Sequence, residues 1–334
     1  MTVKAKRPTL RDVAEVAGVS EMTVSRVLRG KGVVSQRTRE HVTAVVEKMG
    51  YVQNHLAGSL ASARSNQVAV IIPSLNNNVF TEVMAGITSE LDKAGYNAVV
   101  GISDYDLKKE EMLVYSMLSW RPAGVVVPNI HHTDRALNIL RNTEIPVVEM
   151  MNLTQQPIDI SVGLDHKAAS QVLADYLISR GYKRFGCIGG SPKDRSAAER
   201  VTTIKKRIRD HGLDVFAPDL FEEPPNFSGG KSGLSQLLEF RRDLDAVFFS
   251  NDTAAMGGII HCIEQGIVIP DDLAIAGFSG LAAAQNFPKK LTTIATKRFE
   301  TGRMAARCIV NRLSNVVTKP VIDMGFQLIE GQTA

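Results

Sequence analysis

Thr9-Leu10-Arg11-Asp12-Val13-Ala14-Glu15-Val16-Ala17-Gly18-Val19-Ser20-Glu21-Met22-Thr23-Val24-Ser25-Arg26-Val27-Leu28 reads as two short helices joined by a tight turn. Val13, Ala14 and Ala17 share one face of the first helix. Gly18-Val19 makes the turn, because glycine adopts a left-handed backbone at little cost. Ser20 is a good N-cap for the second helix, whose Val24, Val27 and Leu28 recur at i, i+3, i+4 and point inward. That leaves Glu21, Met22, Ser25, Arg26 and Arg29 on an outer face near the helix start. The layout is a helix-turn-helix that places its second helix in a DNA major groove. A helical hairpin buried in a core is the competing reading, and the basic, polar outward face argues against it.

Working outward, Ser35 caps a third helix with Val42, Val45, Val46 and Met49 on its apolar side, and Gly50 ends it. Residues 1–53 therefore form a small all-α DNA-binding domain. Residues 54–66, rich in Ala and Ser with Leu56 and Leu60 four apart, are too short to hold a helix alone in water. They read as a hinge helix that forms only when docked. Charge supports the division. Residues 1–65 carry eleven Lys/Arg against five Asp/Glu, whereas the remainder carries 28 against 30. Positive charge concentrated on a small module is the footprint of a phosphate-binding surface.

From Val68 the pattern changes. Val68-Ala69-Val70-Ile71-Ile72 is a continuous apolar run of the kind that forms a buried parallel strand. Similar runs follow at 98–102, 124–127, 146–148, 185–188, 246–249 and 273–276, separated by helical stretches. Strand–helix alternation at this spacing predicts doubly wound α/β sheets. There are too many strands for one tidy sheet, so residues 67–334 are expected to form two similar subdomains with a cleft at the carboxyl ends of the strands.

Taken together, the chain resembles the lactose-repressor/galactose-repressor family of bacterial transcription regulators, essentially end to end. Besides the opening stretch, the resemblance is carried by Val34-Ser35-x-x-Thr38-Arg39 and Gly50-Tyr51-x-x-Asn54. Further on it is carried by Ser250-Asn251-Asp252-x-Ala254-Ala255-Met256-Gly257 and by Ile269-Pro270-Asp271-Asp272-Leu273-Ala274-Ile275-Ala276-Gly277-Phe278. It implies an N-terminal helix-turn-helix domain with a hinge helix, followed by an effector-binding and dimerisation domain like the periplasmic sugar-binding proteins. It also implies a homodimer on a near-palindromic, double-stranded operator. Glu21, Met22 and Arg26 would face base edges: Arg26 can bond guanine bidentately, Glu21 can accept from cytosine N4, and Met22 can only pack. Thr9, Ser20, Thr23, Ser25, Ser35 and Asn54 would contact phosphates or cap helices, with Arg29 on the same outer face. Leu60 matches a minor-groove wedge that unstacks a base step, and Gly58 weakens the hinge helix by roughly 1 kcal/mol relative to Ala.

The same resemblance puts Ser74, Phe80, Arg195, Arg200, Asn251 and Ser279 around an effector cleft. Ser279 stands where the family often carries an acid that grips sugar hydroxyls. Two arginines without that carboxylate favour an anionic ligand, because a guanidinium binds carboxylate through two parallel bonds. Pro73-Ser74-Leu75-x-Asn77-x-Val79-Phe80, Ser116-Met117-Leu118-Ser119-Trp120 and Pro320-x-x-Asp323-Met324-Gly325-Phe326 look most like the gluconate-utilisation repressors, which points to gluconate or another sugar acid.

Other chemistries find little support. Cys187, Cys262 and Cys308 lie far apart in apolar runs and read as reduced core thiols. His131-His132-x-Asp134 is the nearest approach to a metal motif, but adjacent histidines point apart. Gly189-Gly190-Ser191-Pro192 lacks the residues of a P-loop or dinucleotide fingerprint. No nucleophile has a base at diagnostic spacing, so no enzyme, cofactor or metal is expected. With no signal-like segment and no long apolar run, a cytoplasmic protein without membrane association is expected. A transport solute-binding protein would share the two-lobed sensor, but would need an export signal and no DNA-binding head.

Overall fold

The computed structural model of the chain describes residues 7–28, 30, 32–52, 65–128, 130–189, 193–217 and 226–334. The chain divides into two compact units, Met1–Ser65 and Asn66–Ala334.

In the first unit, α1 (Leu10–Ala17) starts at Thr9, whose amide and hydroxyl both donate to the Asp12 carboxylate at 2.7 Å. The Thr9 hydroxyl in turn accepts from the Asp12 amide, completing a reciprocal cap. Gly18, at φ 64°, ends α1 in the left-handed conformation that the turn requires. The Ser20 hydroxyl accepts from the amide of Thr23 at the start of α2 (Glu21–Leu28). Helix α3 (Gln36–Met49) begins with the Ser35 hydroxyl on the Thr38 amide and ends at Gly50. Val13, Val24 and Val42 are fully buried where the helices meet, flanked by Ala14, Ala17 and Val27. Leu28, expected inward, is half-buried at the edge of this seam. The hinge residues Leu56, Gly58 and Leu60 lie outside the described residues.

The second unit holds two sheets. The first contains β1 (Gln67–Ile72), β2 (Asn97–Ile102), β3 (Gly124–Pro128), β4 (Val147–Asn152) and β5 (Ile160–Leu164), then β6–β10 belong to the second: Arg184–Ile188, Asp214–Phe216, Ala246–Phe249, Ala274–Ser279 and Thr292–Thr296. Strand β11 (Val321–Asp323) returns to the first sheet, giving the order β11-β5-β4-β3-β1-β2. Strand β12 (Phe326–Ile329) joins the second, ordered β12-β10-β9-β8-β6-β7 and parallel except that β12 runs antiparallel to β10. The helices between them are α4 (Asn78–Lys93), α5 (Leu107–Ser119), α6 (Asp134–Arg141), α7 (His166–Ser179), α8 (Arg195–Asp210), α9 (Phe227–Phe240), α10 (Asp252–Gln265), α11 (Ala282–Gln285) and α12 (Arg298–Leu313). The chain thus passes between subdomains three times: into α7, into α12, and between β11 and β12.

The apolar runs at β1, β3, β8 and β9 are buried throughout, as strands covered on both faces must be. Strands β5, β7, β10 and β11 lack that signature for physical reasons. Strand β10 is Thr292-Thr293-Ile294-Ala295-Thr296, whose buried threonines are satisfied by hydrogen bonds rather than by apolar character. Strand β5 is interrupted by Ser161 and Gly163. Strands β7 and β11 are three-residue edges.

Helix pairs clamp each subdomain through facing glycines. A Cβ on Gly86 of α4 would fall on the carbonyl of Phe299, and one on Gly302 of α12 would fall on the carbonyl of Val83. Gly230 and Gly257 make the same reciprocal contact between α9 and α10. Gly86→Ala or Gly302→Ala is therefore expected to destabilise the second unit by about 1–3 kcal/mol through overpacking. A thermal melt of the full chain checks this, and an unchanged midpoint would mean that the helix pair can part freely. Cys187, Cys262 and Cys308 are buried free thiols, and burial pushes each up to about 12. Among the described residues no helix is long and apolar enough to cross a membrane.

Candidate functional site

On the first unit, Glu21, Met22 and Arg26 are exposed on α2 while Val24 and Val27 are buried. Met22 leaves 63% of its surface open, which an apolar side chain with an internal packing role would not do. Thr23 and Ser25 are half-buried beside them, and the hydroxyls of Thr9, Ser20 and Ser35 are engaged at helix starts. Arg29, Asn54 and Leu60 lie outside the described residues. One ridge of α2 thus presents a carboxylate, a thioether and a guanidinium to solvent, mounted on a buried valine seam.

In the second unit, the carboxyl ends of strands from both sheets open onto a cavity of about 880 Å³, its mouth included. Phe80, Arg195, Arg200, Asn251 and Ser279 all line it. Ser74 does not: its hydroxyl accepts from the Asn76 amide at 3.1 Å to close a turn, and the preceding Pro73 faces the cavity instead. Asn251 also caps α10, its side-chain carbonyl accepting from Ala254 at 2.8 Å.

Arg200 governs the electrostatics. Its guanidinium is buried, lies 4.7 Å from the centroid of the Phe278 ring, and donates through Nη1 to Nδ1 of His166 at 3.4 Å. It makes no ion pair among the described residues, and its Nε is buried without a hydrogen-bond partner. Burial and then the charge of Arg200 hold His166 well below its ordinary pKa, so the ring is neutral and free to accept at Nδ1. Tyr105, whose pKa is raised first by burial and then by Asp194, accepts from Asn77 Nδ2 at 3.1 Å. Among the described residues no acceptor takes the Tyr105 proton, which leaves it open to a ligand.

Contacts across the cleft come from residues that sequence reading did not single out. Ser196 at the start of α8 donates to the Asn152 side chain of β4 at 2.8 Å. Arg298, buried at the head of α12, donates to the carbonyl of Ser279, to that of Gly280 at 3.2 Å, and to Glu82 of α4 at 2.9 Å. Ser279 is held there at φ 131°, a strained backbone for a non-glycine residue. Beneath the loop, Asp252 accepts from the Leu281 amide and the Thr293 hydroxyl, both at 2.6 Å, and burial lifts it to about 6.

Behind the first-sheet wall, His132 is enclosed by two carboxylates. Its Nδ1 lies 2.5 Å from Glu110, its Nε2 lies 3.7 Å from Glu149, and all three side chains are buried. Burial opposes protonation of this ring, but the hydrogen bond to Glu110 and the charges of both glutamates prevail and raise it to about 9. Several of these groups follow strand ends: Tyr105 and Asp106 after β2, Asn152 closing β4, and His166 after β5. The rule that ligands sit at carboxyl ends of parallel strands was the signal that could have found them.

Residues 9–54 match the family model described as bacterial regulatory proteins, lacI family, and residues 174–334 match that of a periplasmic binding protein-like domain. The chain is 34% identical over 330 residues to the HTH-type transcriptional regulator GntR of Escherichia coli K12, covering 98% of this chain and 99% of that protein. It is 31% identical to the regulator IdnR of the same strain, covering 98% of each. Among solved structures, a lacI-family transcriptional regulator from Silicibacter pomeroyi superimposes with a TM-score of 0.93 at 40% identity, over 98% of this chain and 99% of that one.

Proposed function

Since this chain belongs to the lacI family of bacterial transcription regulators, we propose that it represses sugar-acid utilisation genes and leaves its operator when a gluconate-like anion fills the cleft. The observation that carries the effector class is Arg200: a buried guanidinium with no ion pair among the described residues and an unsatisfied Nε. Burying a cation without a partner is costly, and a ligand carboxylate would supply the missing bonds. The stretches shared with gluconate-utilisation repressors point the same way.

On DNA, two copies of the chain would read the halves of a near-palindromic operator. Arg26 would bond guanine, Glu21 would accept from cytosine N4, and Met22 would pack on a thymine methyl. Leu60 would act as the minor-groove wedge, while Thr9, Thr23, Ser25, Arg29, Ser35 and Asn54 would serve phosphates or helix starts. Arg26→Ala is expected to cost about 1–3 kcal/mol on the cognate duplex and to relax the preference at one base pair per half-site. Titration against duplexes varied at each position checks this. A uniform loss across all sequences would make Arg26 a phosphate contact instead.

Release would run through the strap formed by Arg298. An occupant touching Ser279 or Phe80 shifts the two ends that this guanidinium ties together, the Ser279–Gly280 carbonyls and Glu82 on α4. Selecting bound fragments from random duplex DNA, then titrating them with salt and gluconate, tests the whole reading. Affinity should fall steeply with salt as counterions are released, and should fall again with gluconate. No sequence preference at any salt would reject the DNA-binding role, and tighter binding with gluconate would make the ligand a co-repressor.

A further inference from the structure

Six charged side chains line the cavity among the described residues, and they are not evenly mixed. Lys193, Asp194, Arg195 and Arg200 belong to the second-sheet subdomain, whereas Asp106 and Glu110 belong to the first. One wall therefore carries three cations against one carboxylate, and the facing wall carries two carboxylates, with the His132 ring behind Glu110 and outside the lining. The single carboxylate on the cationic wall, Asp194, caps α8 with Oδ1, accepting from the Ala197 amide at 3.0 Å, and is outnumbered there by three cations. On the acidic wall, Asp106 caps α5 with Oδ1 alone, accepting from Lys108 and Lys109. Glu110 is anchored from behind, its Oε1 on His132 at 2.5 Å. His132 in turn faces Glu149, which accepts from the Ile158 amide at 2.6 Å. Such a buried chain fixes Glu110 where it stands, because moving it would strip a buried imidazole of its closest partner.

A ligand spanning these walls meets opposite demands at its two ends. The Arg200 end offers guanidinium N–H donors and a net positive charge, and so takes a carboxylate. The Asp106 and Glu110 end offers acceptors and negative charge, and so takes hydroxyl donors while repelling a second carboxylate. We propose that the cavity selects polyhydroxy monocarboxylates against the matching dicarboxylates as well as against neutral sugars, with the carboxylate on Arg200 and the polyol end on Asp106 and Glu110. This rests on the sugar-acid reading above and adds a direction to the ligand and a reason for exclusion. The acidic wall acts as the excluding element, which affinity for the correct ligand alone would not provide.

Calorimetric titration of the full chain with gluconate, glucarate and glucose tests it. Gluconate should bind, with glucarate and glucose each at least tenfold weaker. Glu110→Gln should bring the glucarate-to-gluconate ratio of dissociation constants below threefold. Asp106→Asn, which keeps a side-chain carbonyl for the helix cap, should move the ratio in the same direction and carries the test should the Glu110 variant fail to fold. Glucarate binding as tightly as gluconate to the unaltered chain, or a ratio unmoved in both folded variants, overturns the proposal while leaving the sugar-acid reading intact. Binding of neither acid overturns both.

Discussion

Arg200→Met is expected to weaken gluconate binding by roughly thirtyfold or more while leaving the ligand-free protein as stable as before, or more so. Truncating one partner of a buried, hydrogen-bonded charge pair costs about 2–5 kcal/mol of affinity. In the ligand-free protein the same side chain is a buried cation stacked on Phe278, with Nε unpartnered among the described residues and a long contact to His166 for Nη1. An apolar replacement of similar length fills the space without that desolvation cost. Calorimetry and a thermal melt on the same preparation separate the two effects. Lost stability with unchanged gluconate affinity would make Arg200 a structural residue and remove the anion-binding account.

The second large effect concerns His132. Removing the ring in His132→Ala leaves Glu110 and Glu149 facing each other in the interior without their shared cation, an arrangement expected to cost about 3–5 kcal/mol. The same residue gives the fold a pH dependence of definite sign. Its pKa is raised from 6.5 to about 9 in the folded chain, so its stabilisation is complete below pH 6.5 and is lost as pH rises through 9. The shift corresponds to about 3 kcal/mol. Denaturant unfolding at pH 6 and pH 9.5 should show the unaltered chain losing stability with rising pH and His132→Ala losing markedly less. Parallel profiles for the two proteins would mean that the ring is neutral throughout.

The first unit was legible because its punctuation is local. Gly18 and Gly50 do sit at positive φ, and Ser20 and Ser35 accept the amides that follow them, each a matter of three or four residues. The strands that announce themselves are those that bury both faces with aliphatic side chains. Strand β10 hides because its buried threonine hydroxyls are satisfied by Asp252, Gly331 and Ala334, about forty residues away along the chain. Of the cleft residues expected from matching positions, Phe80, Arg195, Arg200, Asn251 and Ser279 line the cavity, and Ser74 lies next to Pro73, which does. What stayed hidden depends on distant partners. His132 looked like half of a weak metal motif, since nothing near it in sequence reveals Glu110, 22 residues earlier, or Glu149 on β4, beyond the intervening helix. Arg298 reads as an ordinary helix start until Glu82, 216 residues away, is brought beside it.

Coupling between the cleft and the DNA-binding head is the claim on which the regulatory account turns, and linkage makes it measurable from the ligand side. Gluconate should be titrated into the full chain alone and into the full chain saturated with its selected operator. The account predicts that operator weakens gluconate binding by the same factor with which gluconate weakens operator binding, typically about 5–150-fold. Equal gluconate affinities with and without operator would contradict it.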